Sequence, residues 1–350
     1  MDLNLNLNHI IDSLGETEKI NIIVFGDYAL DKYLYIDPAR DEISVETGKT
    51  AYQVDRKQCF AGVGGTITNN LRALGVNVTC IGILGNDGEG LELGKCLSGE
   101  GADISHMVRT DSLCTSTYVK PMRKNKDGGY SEMNRLDFRN FQEPSAEIQN
   151  KLLDNLEKVL DYSDGVIITD QFVQRNMGTV TDSIRKSVSK MAAEHKDKIF
   201  YVDSRAFADE YRNMIVKCNN SELSALQDNM PGNPEDMEYL EKCGMKLRKQ
   251  NNVDLYVTCG SKGILVFNGE KVTPVRAYPV KGPIDIVGAG DASNAGIVMG
   301  LSLGLNMAEA AMLACCISSI TIQQIGTTGT SDIPSLKKRI LEYGEELKNE

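Results

Sequence analysis

The 350-residue sequence is short of basic charge, of histidine and of paired cysteines, and each shortage removes a class of function. With 38 Lys and Arg against 49 Asp and Glu, the formal net charge is −11, which repels the phosphates of a nucleic acid. Three histidines and nine scattered cysteines with no C-x-x-C pair provide no ligand set for a structural zinc. The odd cysteine count fits free thiols in a reducing compartment. No run approaches the roughly 20 apolar residues of a membrane-spanning helix. The opening stretch, MDLNLNLNHIIDSLGETEKI, has no basic segment ahead of an apolar one, so no secretory signal is expected. The Walker A pattern is missing too. The one glycine-rich loop resembling a dinucleotide fingerprint has Ser293 where the third glycine should stand. These absences predict a cytoplasmic globular protein that, if it handles nucleotides, does so without a P-loop.

What is present is a substantial core. Hydrophobic residues make up 41% of the chain, enough for one large α/β domain or two smaller ones. Continuous apolar runs recur at 20–27, 76–85, 165–170, 198–204, 214–219 and 254–260, most ending in Gly, Asp, Asn or Ser. Helical patterns at 145–163 and 178–196 separate some of them. Such alternation predicts a mostly parallel sheet with helices on both faces, and ligands beyond the carboxyl ends of its strands. Residues 291–324 predict two helices broken near Gly304-Leu305-Asn306. Segments 43–59 and 115–138 are β-rich without a helical period, the second folding around an Asp-Gly-Gly turn. The expected organisation is an N-terminal extension (1–18), an α/β core (19–42, 60–113 and 139–350) and a β-sheet lid (43–59 and 114–138).

The chemistry concentrates in DIVGAGDASNAG, residues 285–296. Gly288, Ala289 and Gly290 ahead of a helix leave backbone N–H groups uncovered, an arrangement that binds anions. Asp291 follows directly. A carboxylate base beside an anion-stabilising loop is what phosphoryl transfer to a hydroxyl needs. Taken alone, the stretch is equally an aspartate cap behind a glycine loop. Asn219 and Glu222 in NNSE stand three apart at the start of a helix; they could hold Mg²⁺ against a triphosphate or simply cap the helix. VTCGSKG (257–263) is a strand end and a glycine-bracketed turn, and Asp27 and Asp31 are acids of a loop that could grip sugar hydroxyls.

The order of these segments, GD…D, AGVGGTITNNLRALG (61–75), GNDGEG (85–90), NNSE, VTCGSKG and DIVGAGD, resembles the ribokinase-like, or PfkB-type, carbohydrate kinases over about residues 20–340. FGDYALDKYLY, the stretch 41–65 and NRLDF (134–138) look most like the kinase domain of bifunctional heptose-phosphate kinase and nucleotidyltransferase proteins. The H-x-G-H motif of the transferase half is absent from this chain. The resemblance implies a three-layer α/β/α core with a small β-sheet lid. It implies ATP-dependent phosphorylation of a sugar or sugar phosphate, with Asp291 as base and the Gly288, Ala289 and Gly290 amides as anion hole. Asn219 and Glu222 would organise Mg²⁺ and phosphates, and Thr258, Gly260, Ser261 and Gly263 would form the nucleotide-side turn. Asp31, Gly62, Thr66 and Asp170 fall at sugar-side positions, and Asp27 and Arg135 carry over from the heptose-type subgroup. Asp285 and the Ile286 carbonyl match positions that hold a monovalent cation, K⁺ among them, in several members.

Departures cluster at the sugar end. Thr66 replaces the usual sugar-binding asparagine and Val63 the second glycine of a pair; Ile286 and Val287 replace threonines near the nucleotide. A single hydroxyl cannot make the two-ended contacts of an amide. A second expectation therefore stands beside catalysis: a degenerate kinase fold that binds sugar or nucleotide without turnover. The two exposed β-segments predict a homodimer formed through the lid.

Overall fold

The structure is a computed structural model and describes residues 5–227 and 230–348. Its centre is an eight-stranded sheet in the order 271–275, 264–268, 255–258, 215–219, 199–204, 165–170, 21–26, 77–81. The six strands from 255–258 to 77–81 are mutually parallel, and the two at the other edge run antiparallel. The apolar runs therefore became strands buried on both faces, as parallel sheets require. The run 76–85 is split at Gly82: its second part, Ile83–Gly85, leaves the main sheet to pair with Val108–Thr110.

Helices cover both faces and give two cores. One face packs under Gly64–Ala73, Ala289–Ser302, Met307–Thr321 and Ile333–Lys348, the other under Ala146–Leu160, Asp182–Glu194 and Met237–Asn251. The break between the third-last and second-last helices falls at residues 303–306, where Asn306 caps the next helix in a reciprocal box with Glu309. The N-terminal helix Leu7–Ser13 packs on the core, with Ile10 and Leu14 fully covered.

A second, five-stranded sheet stands apart. Tyr28–Ile36 is paired antiparallel to Val54–Val63 and parallel to Thr117–Lys124, which in turn pairs with Tyr130–Glu132 and Leu136–Phe138. This sheet begins earlier than the composition of 43–59 suggests. Tyr28–Ile36, expected in the core, is a central strand of the small sheet, and Val54–Val63 runs past residue 59. Unlike the buried core strands, this one is only half-covered over residues 31–35, where Asp31, Tyr33 and Tyr35 share one face.

Where the small sheet returns to the core, Val63 has φ +59° and ψ −118°, a glycine-like conformation for a β-branched residue. Relief of such strain is worth about 1–3 kcal/mol, and a new glycine costs up to about 1 kcal/mol in unfolded-chain entropy. Val63→Gly is accordingly expected to stabilise the protein by about 1 kcal/mol in urea denaturation; an unchanged or lower midpoint would show that no strain is held there.

Candidate active site

All the chemistry gathers where theory places it, beyond the carboxyl ends of the parallel strands. Gly288 caps the helix Ala289–Ser302 in the left-handed region, with φ +82°, and a side chain there would press on the methyls of Thr328 and Thr66. The Ala289 amide, expected in the anion hole, donates instead to the Ile286 carbonyl at 3.1 Å and closes the turn. Among the described residues the amides of Gly288, Gly290 and Asp291 have no acceptor. They are the donors the helix start leaves for an anion.

Asp291 lies in the first turn, half-covered, and makes no hydrogen bond through its carboxyl among the described residues. Desolvation pushes its pKa up to about 7, with the charge of Asp203 adding to the shift and those of Lys217 and Arg205 opposing it. Beneath it sits a buried polar network. Lys217 Nζ lies 3.2 Å from both Asp203 carboxylate oxygens, and a Cβ on Gly290 would stand 3.6 Å from that same nitrogen. Asn294, one turn along from Asp291, donates to Asp203 at 2.6 Å and accepts from the Tyr201 hydroxyl at 2.8 Å.

On one side of this centre, Asn219 and Glu222 form a reciprocal capping box: the Glu222 amide donates to Asn219 at 2.8 Å and Glu222 accepts from the Asn219 amide at 2.7 Å. Burial raises the Glu222 pKa, and the Lys217 charge opposes that shift. Thr258 ends its strand, and Gly260, Ser261 and Gly263 make a tight turn whose last glycine packs directly on the Val275–Ala277 backbone. A cavity of about 320 Å³ opens beside this turn, bounded by Ser261, Arg276, Pro279 and Tyr343. Asp285 is tied into the loops, accepting from the amides of Val287 and Gly326 at 3.1 and 3.0 Å. Ile286 and Val287 are exposed at 71% and 56%. No three acidic, histidine or cysteine side chains among the described residues cluster to hold a metal.

On the other side stands Asp31, its carboxylate 2.7 Å from Lys120 Nζ. Gly62, on the neighbouring strand, is bare because any Cβ would lie 2.5 Å from Asp31 Oδ2. Thr66 is buried, its hydroxyl directed to the Ala61 carbonyl and its methyl to Gly288.

Asp27 and Asp170 turn out differently from open sugar ligands. The Asp27 carboxylate accepts three amides, from Gln171, Phe172 and Thr179, at 2.8, 3.3 and 2.7 Å. Burial and the Asp170 charge still push it up to about 7. Asp170 is held by Arg185, Ser204 and Tyr211. The Asp27 carboxylate clamps the loop 171–179, and that of Asp170 ties Arg185, Ser204 and Tyr211 together beside it. Arg135 is engaged by Asp137 in a bidentate pair and lies over the Tyr118 ring at 4.7 Å.

Lys217, Asp203, Lys120, Tyr118 and Arg205 went unnoticed in the sequence. The signal for the first two was present: a lysine and an aspartate interrupt otherwise apolar central strands, where an unpaired charge would be very costly.

An acid ionising near neutrality beside free helix-start amides is what transfer of a phosphoryl group to a hydroxyl requires. The family match and the fold define the class, the ATP-dependent carbohydrate kinases of ribokinase-like fold. The chain belongs to the pfkB family of carbohydrate kinases, whose model matches residues 21–334. The bifunctional protein HldE of Trichlorobacter lovleyi is 27% identical over 324 residues, and that of Geobacter sulfurreducens 25% over 328. These alignments cover 91% and 93% of this chain but 63% and 64% of the relatives, so the chain spans under two thirds of their length. Among solved structures, Arabidopsis thaliana ribokinase complexed with ribose and ATP superposes with a TM-score of 0.65 at 23% identity, covering 92% of this chain and 97% of its own. Escherichia coli phosphofructokinase-2 in complex with fructose-6-phosphate gives 0.67 at 17% identity, covering 93% and 99%.

A base must be ionised to work, so kcat/KM is expected to rise with pH through an acid limb near 7. Lys217→Met removes a charge that favours the ionised form, and should move that limb to higher pH. A limb unmoved by the substitution would dissociate Lys217 from the titration of Asp291. Stability carries the matching sign. Two carboxyls raised to about 7 contribute stability that is full below about pH 4 and is lost as pH climbs to about 7.

Proposed function

We propose that this chain transfers the γ-phosphoryl group of ATP to a hydroxyl of a sugar or sugar phosphate, a heptose phosphate being the nearest match by resemblance. The observation that carries the reading is Asp291: a carboxyl with its pKa raised to about 7 and no hydrogen-bond partner among the described residues, in the first turn of a helix where the Gly288, Gly290 and Asp291 amides have no acceptor among those residues. Asp291 takes the proton from the attacking hydroxyl as the oxygen–phosphorus bond forms. The amides of Gly288, Gly290 and Asp291 accept the charge growing on the transferring group. Asn219 and Glu222 face the phosphates, and the turn at Thr258, Gly260, Ser261 and Gly263 leads the nucleoside towards the adjoining cavity. Mg²⁺, when bound, neutralises charge on the phosphates. Asp31 grips the acceptor from the small sheet, with Gly62 giving it room and Thr66 backing the Gly288 loop. Asp27 and Asp170 act on the acceptor through the loop they fix, and Arg135 from the small sheet. Asp285 and the Ile286 carbonyl are the positions a K⁺ ion would take.

With Mg·ATP and a panel of sugars, sugar phosphates and nucleosides, purified protein should release ADP with at least one acceptor. Asp291→Asn should lower that rate by about 10³-fold with an unchanged circular dichroism spectrum. Binding of ATP or sugar without any turnover would establish a non-catalytic binding protein instead.

The same reading includes a homodimer through the small sheet. Its strand Val54–Val63 lies at an edge, and Ile43, Val45, Leu136 and Phe138 are exposed at 49% or more. Light scattering at micromolar concentration should give twice the 38.4 kDa chain mass; a monomer would remove this part of the reading.

A further inference from the structure

One buried amide ties the helix of Asp291 to the central sheet. Asn294 lies one turn beyond Asp291 in the helix Ala289–Ser302, fully buried, and is followed by an unbroken small or apolar run, Ala295–Gly300. Both ends of its side chain are used. Oδ1 accepts from the Tyr201 hydroxyl at 2.8 Å, and Nδ2 donates to Asp203 Oδ2 at 2.6 Å. An ionised carboxylate only accepts, so Nδ2 must face Asp203 and Oδ1 the tyrosine. Tyr201 and Asp203 alternate along the strand Ile199–Ser204 and share a face, so one amide clips the helix across two side chains of one strand. Lys217 Nζ approaches the same Asp203 carboxylate at 3.2 Å.

The helix has a second tie of another kind. Ser293 Oγ lies 2.9 Å from the Ala289 carbonyl and 2.8 Å from Ser318 Oγ, and Ser318 donates to that carbonyl at 3.2 Å. This tie joins the helix to Met307–Thr321 through hydroxyls and a carbonyl, with no charge in it.

We propose that Asn294 is a positioning residue for phosphoryl transfer: through Asp203 it sets the place and the surroundings of Asp291, and Tyr201 holds its amide the right way round. The inference rests on the kinase reading for what Asp291 does. The charges that bear on Asp291 are those of Asp203 on one strand, Lys217 on the next, Arg205 just beyond the first and Asp31 on the small sheet. Asn294 is bonded to Asp203, whose negative charge opposes ionisation of Asp291 and is partly answered by the amide N–H. Loss of that N–H leaves the opposing charge at full strength and unclips the helix.

Carbon-13 NMR of the aspartate carboxyl groups reads the titration of Asp291 without any substrate, its resonance being assigned by its loss in Asp291→Asn. The midpoint should rise by about half a pH unit or more in Asn294→Leu and by less in Tyr201→Phe. Combining the two should add nothing to Asn294→Leu alone, since Tyr201 acts through the amide. Asn294→Asp keeps the shape but sets a like charge against Asp203, and should raise the midpoint further; it carries the test if Asn294→Leu does not fold. Ser318→Ala, which cuts the other tie, should lower the urea midpoint and leave the titration in place. A titration unmoved in the Asn294 variants, or moved as much by Ser318→Ala, would overturn the proposal and leave Asn294 a packing residue. With an acceptor that is turned over, kcat should fall about tenfold or more in Asn294→Leu while KM for ATP changes less than about threefold. An unchanged kcat would overturn the proposal too. If the titration moves as expected but no acceptor is turned over, the placing of Asp291 by Asn294 stands and the kinase reading falls.

Discussion

One buried cation holds the centre of this molecule together. Lys217 lies fully inside the sheet, and its ammonium is the positive charge that Asp203, Glu222 and Asp291 all feel. Burying a lone ammonium would cost several kcal/mol, and its bidentate approach to Asp203 offsets that cost. Asp203 is in turn bonded to Asn294, which fastens the helix carrying Asp291 to the strand ends. The position of Asp291 and its readiness to ionise thus depend on the same few atoms, the Lys217 charge working against the desolvation that raises its pKa.

The acids around the cleft divide by what their oxygens already hold. Asp27 and Asp170 spend theirs on backbone amides, an arginine, a serine and a tyrosine, and so build a wall. Asp31 is countered by Lys120 from the adjoining strand, and the Asp291 carboxyl makes no hydrogen bond among the described residues. At the helix start the amides of Gly288, Gly290 and Asp291 have no acceptor among the described residues.

Much of this was legible in the chain. The central strands were visible because burial on both faces writes continuous apolar runs, and the GAGD loop because a left-handed cap needs Gly288. The strand Tyr28–Ile36 was harder. It continues almost directly from a core strand, and only its alternating polar positions mark the change of sheet. Val63 reads as a plain substitution until its backbone angles are known. Asn219 and Glu222 show why motif and cap need not be alternatives: the capping bonds fix the very carboxylate that the proposed function turns towards the phosphates. Lys217 and Asp203 could have been found, since each interrupts an apolar central strand where an unpaired charge is costly.

The chain passes from core to small sheet at Asp27 and back at Gly64, and the Gly64 amide donates to the Asp27 carbonyl at 3.1 Å. Two crossings are therefore pinned into one pivot, like an oar in its lock. With a strand rise of about 3.3 Å per residue, Asp31 sits about 13 Å from that pivot and Ile36 about 30 Å. A rotation of about 10° would carry the strand tip about 5 Å but Asp31 only about 2 Å. Such a rotation would move the outer end of the small sheet more than twice as far as Asp31.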